Sequence, residues 1–135
     1  MDYTFNEIHQ REIGDDTASL GMPDDGNGRY MQARSYAEWY FFQVAKRVYK
    51  NDIEHLVTFI PCSLINGLIM PQATIGLLAT YFLGRQLYTQ GYFEKEGALN
   101  KYRMAGSALC NLTHFSTLCL TTFLGWKLSR GKLRF

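Results

Sequence analysis

Seven polar residues have the types and spacing to do chemistry together. Arg47, Asn51 and Glu54 stand at i, i+4 and i+7, so a helix would carry them on one face. Tyr88 and Tyr92 are four apart, and Arg85 precedes Tyr88 by three, which makes a second polar stripe. Arg103 follows after a short polar stretch. Arginine's planar fork suits carboxylates, and tyrosine hydroxyls both donate and accept. Such a cluster can do one of two things. It can be a hydrogen-bond and ion-pair network that fixes helix packing, or it can bind a small anionic polar ligand. Spacing alone leaves both open.

The elements that position these residues are unusually apolar. The first builds through Trp39, Tyr40, Phe41 and Phe42, crosses a charged stretch from Lys46 to Glu54, and is almost purely apolar from Leu56 to Met70. The second runs from Ala73 to Leu83 and continues through Tyr88 to Phe93. The third runs from Met104 to Leu128, with His114 its only basic residue before Lys127. Pro71 separates the first two, and Glu94-Lys95-Glu96-Gly97 opens the loop between the last two. At about 1.5 Å per residue the third is long enough to cross a hydrocarbon layer of ~30 Å. The pattern predicts three transmembrane helices, roughly Tyr36–Met70, Gln72–Phe93 and Arg103–Leu128. A soluble helix of this kind would need a broader polar stripe. The two hairpin turns then bring both polar stripes to one membrane face, where costly ionisable groups find partners between helices.

The rest of the chain is different in kind. Residues 1–28 hold seven acids and one base, whereas the remainder holds thirteen bases and five acids. The head is rich in turn formers, as in Met22-Pro23-Asp24-Asp25-Gly26-Asn27-Gly28, and is expected to be an extended arm. It has neither the apolar core of a secretory signal nor the arginines of a transit peptide. The 135 residues therefore divide into an arm (1–35), a helical membrane domain (36–128) and a basic tail (129–135). Aromatic residues make up 15% and charged residues 19%, which excludes disorder for most of the chain. Three cysteines, an odd number, exclude a disulfide scaffold. Cys62, Cys110 and Cys119 are expected reduced and buried, and no metal set is evident. His114 reads as a hydrogen-bonded packing residue, and Asn66 and Asn111 as bonds across helices.

Arg47-x-x-x-Asn51-x-x-Glu54, followed by Arg85-x-x-Tyr88-x-x-Gly91-Tyr92, resembles the signatures of the MAPEG family, the membrane-associated proteins of eicosanoid and glutathione metabolism. The resemblance covers about Phe41 to Leu128. It implies an all-α membrane bundle assembled as a homotrimer, with glutathione bound between subunits. Arg47, Asn51 and Glu54 would hold the glutathione backbone, and Arg85, Tyr88 and Tyr92 would complete the cofactor site. Arg103, the catalytic residue in that case, would sit beside the thiol, because a guanidinium lowers a thiol's pKa. The sequence departs from the family in its first helix, whose place the acidic arm takes. His55 stands where tyrosine is common, and the proline that usually follows soon after is delayed to Pro61.

The expectation drawn from these residues is a non-catalytic accessory subunit of a larger membrane complex, built on a MAPEG scaffold and needing no cofactor. Its partners would be other membrane subunits and phospholipid, not nucleic acid. The mitochondrial inner membrane is favoured as its location and the endoplasmic reticulum is the alternative. The rival expectation is a microsomal-type glutathione transferase or peroxidase. Glu54 is expected within salt-bridge reach of Arg47 or Arg85, because an unpaired carboxylate there is costly.

Overall fold

A computed structural model describes residues 3–14, 25–94 and 97–131. Asp15, Asp16 and Asp24 of the head and Lys132 and Arg134 of the tail lie outside the described residues. All regular structure among those described is helical: α1 (Tyr3–Ile13), α2 (Arg29–Gln32), α3 (Tyr36–Ile69), α4 (Pro71–Phe93) and α5 (Lys101–Ser129), with a 3₁₀ turn at Gly97–Leu99. The three long helices start and stop within two residues of the expected bounds. The chain forms two compact units, Met1–Ala45 and Lys46–Phe135, whose boundary falls within α3.

In the first unit the head is not extended throughout, as expected, because α1 occupies Tyr3–Ile13. Phe5, Ile8 and Ile13 recur near helical spacing. The acidic, turn-rich composition of the whole head masked that local pattern. Gly26 is buried at φ +94, and a Cβ there would collide with the Phe42 ring. Gln43 Nε2 donates to the Gly26 carbonyl at 2.6 Å. Ser35 and Glu38 cap α3 reciprocally: the Ser35 backbone N–H donates to Glu38 Oε2 at 3.1 Å, and the Glu38 N–H donates to Ser35 Oγ at 3.4 Å.

In the second unit α4 and α5 meet backbone to backbone. A Cβ on Gly91 would run into the Arg103 backbone, and one on Gly106 into Tyr88 and the Gly84 carbonyl, 2.6 Å away. Gly84 and Gly91 share one face of α4, and Arg103, Gly106 and Cys110 one face of α5. Small residues let two helices approach this closely. Met70 alone links α3 to α4, and Pro71 at the first helical position gives up an N–H that would be unpaired anyway. Asn100 caps α5 by accepting from the Tyr102 N–H at 2.8 Å.

α3 packs through side chains. Its buried line runs through Val48, Phe59, Ser63 and Asn66. Phe59 stacks on Tyr81 of α4 at 4.1 Å, and Asn66 Nδ2 donates to the Thr117 carbonyl of α5 at 3.1 Å. Asn111, by contrast, donates to Ser107 Oγ within its own helix at 3.4 Å, not across helices as expected. Cys110 is buried and Cys62 partly so, but Cys119 is exposed, contrary to expectation, because it lies off the face of α5 that carries Gly106, Cys110 and Thr117.

Large apolar side chains point outward along the long helices. Leu68 is 83% exposed, Val57 68%, Phe115 66% and Ile75 65%. An apolar outer surface is what a bilayer solvates. By length and composition, only α3 among the described residues is apolar enough to cross a membrane. α4 and α5 are long enough, but Gln and Arg in the first and Ser, Thr, Asn and His in the second dilute their hydropathy.

Candidate functional site

The structure gathers most of the expected polar residues into two adjoining groups in the second unit. In the first, Arg85 of α4 is 8% exposed and reaches α3. Its Nη1 donates to Asn51 Oδ1 at 2.7 Å, and its Nη2 donates to the Val48 carbonyl at 3.4 Å and forms an ion pair with the Asp52 carboxylate. Its guanidinium carbon lies 4.6 Å from the Tyr88 ring centroid. Its Nε is buried without a hydrogen-bond partner.

The second group is aromatic and basic. Tyr88 and Tyr92 are both buried, their rings edge to face at 5.0 Å. Arg47 Nε donates to the Tyr92 hydroxyl at 3.3 Å from the exposed side of α3. Arg103 holds its guanidinium carbon 5.3 Å from the Tyr92 ring centroid, and its Nε is also buried without a partner. The Gly91–Arg103 approach brings the start of α5 against the end of α4, so Arg103 does join the cluster.

Glu54 does not join it. It is exposed and forms no ion pair among the described residues, so the expected bridge to Arg47 or Arg85 is absent. At about 100° per residue, Glu54 lies roughly 135° round α3 from the buried line. Asp52 lies close to that line and takes the role expected of Glu54. Sequence reading passed over Asp52 because it falls outside the i, i+4, i+7 stripe.

A third group was not read from the sequence. His55 Nδ1 and His114 Nδ1 are 3.2 Å apart across α3 and α5, and His114 Nε2 is 2.8 Å from Thr58 Oγ1. Thr58 Oγ1 also donates to the His55 carbonyl at 3.4 Å. The three side chains thus form one hydrogen-bonded chain, His55 to His114 to Thr58, in which the histidine tautomers set which atom donates. The residues are 59 positions apart, so no local spacing announces the pair. The nearby Tyr81 hydroxyl is buried without a partner. Among the described residues no cluster of three or more His, Cys, Asp or Glu could hold a metal.

For glutathione the fit is uneven. Asn51 and Arg85 are spent on each other and on Asp52, which leaves little to grip a second carboxylate. The outer edge, with Arg47, Tyr92 and Arg103, keeps donors that form no ion pair among the described residues.

No curated protein and no solved structure matches the chain. Residues 13–126 match the model of the MAPEG family. That stretch contains both arginine motifs, the glycine seam and all three polar groups. The chain belongs to the MAPEG family, whose members are membrane helical bundles.

Proposed function

We propose that this chain is a non-catalytic, three-span membrane subunit of a larger hetero-oligomeric assembly, with its polar cluster serving packing. The observation that carries the reading is the engagement of both terminal nitrogens of Arg85 on α3. A guanidinium bound to Asn51, to the Val48 carbonyl and to Asp52 acts as an internal strut. Taking it for a ligand would leave Asp52 uncompensated, which is costly away from water.

Three spans are supported by how α5 treats its hydroxyls. Thr113, Ser116, Thr117, Thr121 and Thr122 each donate to the carbonyl four residues earlier, at 2.7–2.9 Å. Hydropathy counts these side chains as polar, yet their donors are already satisfied within the helix. The helices are about 51, 35 and 44 Å long at 1.5 Å per residue, enough to cross ~30 Å of hydrocarbon. The acidic head and basic tail suit docking partners on opposite sides of a membrane, and the mitochondrial inner membrane is the location proposed.

The second reading is a glutathione transferase, favoured by the unpartnered Nε of Arg103 beside Tyr92. In that case Arg47, Tyr88 and Tyr92 would frame a glutathione whose thiol Arg103 ionises. One titration separates the two. Glutathione is added to the purified protein while thiolate absorbance is followed in the ultraviolet at neutral pH. The subunit reading expects no saturable signal. A saturable signal that Arg103→Ala removes would overturn it and show a glutathione thiolate held at Arg103, as the transferase reading requires.

A further inference from the structure

The far end of α5 is built differently from the polar cluster. Phe115, Leu118, Cys119, Thr122, Phe123 and Trp126 follow one another at steps of three and one, so they share one face. They line a groove of about 580 Å³ to which neither α3 nor α4 contributes. Phe115 is 66% exposed and Trp126 48%. From Phe115 to Trp126 the groove runs about 17 Å, close to the depth of one leaflet of a ~30 Å core.

Two cations close the end of this groove. Lys127 Nζ lies 4.8 Å from the Phe123 ring centroid, and the Arg130 guanidinium carbon lies 4.6 Å from that of Trp126. No Asp or Glu follows Glu96 in the sequence, and neither cation forms an ion pair among the described residues. At the polar cluster the arrangement is reversed, since Arg85 is neutralised by Asp52. Stacking on the rings holds Lys127 and Arg130 at the rim of the groove, so less freedom is lost when an anion arrives. Exposed aromatics beside cations are also what the headgroup region of a bilayer accommodates.

We propose that this face of α5 seats one anionic phospholipid, with an acyl chain along the groove and its phosphate on Lys127 and Arg130. A zwitterionic lipid would bring its own cation to a site that lacks an acid. A neighbouring protein helix would leave the two cations unpaired unless it supplied carboxylates. The proposal rests on α5 crossing the membrane, as the three-span reading has it, and is independent of whether Arg103 is catalytic.

The test uses the full chain carrying Trp39→Phe, so that Trp126 is the sole tryptophan, reconstituted in phosphatidylcholine bilayers. Brominated phosphatidylglycerol and brominated phosphatidylcholine are compared as quenchers over the same range of mole fractions. Brominated phosphatidylglycerol is expected to quench Trp126 at the lower mole fraction. In Lys127→Gln/Arg130→Gln the preference should fall by about 25-fold, at about fivefold for each base near the surface. Equal quenching by the two lipids, or a preference that survives the double substitution, would overturn the proposal. A second reporter, Phe82→Trp with both native tryptophans replaced by Phe, reads the outer face of α4. Quenching there but none at Trp126 would mean that protein covers the groove, which refutes the lipid seat and leaves three spans standing. No quenching at either position would refute both.

Discussion

Between α4 and α5 the backbones touch at Gly84, Gly91 and Gly106, whereas α3 meets its neighbours through Phe59, Asn66, His55 and the arm of Arg85. The first contact has no flexible part: the atoms that an added methyl would strike include main-chain nitrogens and carbonyls. The second is made of side chains that can turn or shorten. Of the buried side-chain atoms without a hydrogen-bond partner among the described residues, Asn66 Oδ1, the Tyr81 hydroxyl and Arg85 Nε belong to residues that join α3 to its neighbours, and Arg103 Nε belongs to the seam. A close-packed pair of helices thus carries a third whose packing is adjustable; Arg85, Asp52 and the two histidines lie on the adjustable side, and Tyr88 and Arg103 at the seam.

Substitutions should separate the two contacts by size. Gly106→Ala is expected to cost about 3 kcal/mol, the upper end for overpacking, because Tyr88 and Gly84 offer only backbone to yield. Unfolding in detergent micelles would show it, and a melting temperature within a degree of wild type would mean the seam is looser than described. Phe59→Leu keeps most of the volume and loses the stack on Tyr81, so about 1 kcal/mol is expected. A loss as large as that of Gly106→Ala would show that α3 is no more adjustable than the seam. Smallest of all, Glu54→Gln should change stability by less than about 0.5 kcal/mol, since Glu54 is exposed and makes no ion pair among the described residues. A large effect would place Glu54 in an interface with another chain.

Much of this was legible in the sequence. Pro71 and the charged loop after Phe93 punctuate the helices strongly, so α3, α4 and α5 were placed to within two residues. The arginines and tyrosines of the cluster declare themselves because ionisable groups among apolar residues need partners. What stayed hidden depends on which helix faces which. Asp52 and Glu54 are two residues apart, and only the direction of the buried line tells which carboxylate meets Arg85. His55 and His114 meet across helices, and spacing rules stop at four residues. The helical start of the head was lost in its acidic composition, and the threonines of α5 reveal their satisfied hydroxyls only in three dimensions.

The central claim is that Arg85 is an internal strut. Its most direct test is a double-substitution cycle, Arg85→Met, Asp52→Leu and both together, with unfolding and glutathione binding measured on each. Removing Arg85 alone should destabilise by about 2 kcal/mol, below the value for a fully buried pair because Asp52 keeps 35% of its side chain exposed. The double substitution should recover most of that loss, and none of the proteins, wild type included, should bind glutathione. An Arg85→Met protein as stable as wild type that had lost a measurable glutathione affinity would contradict the account.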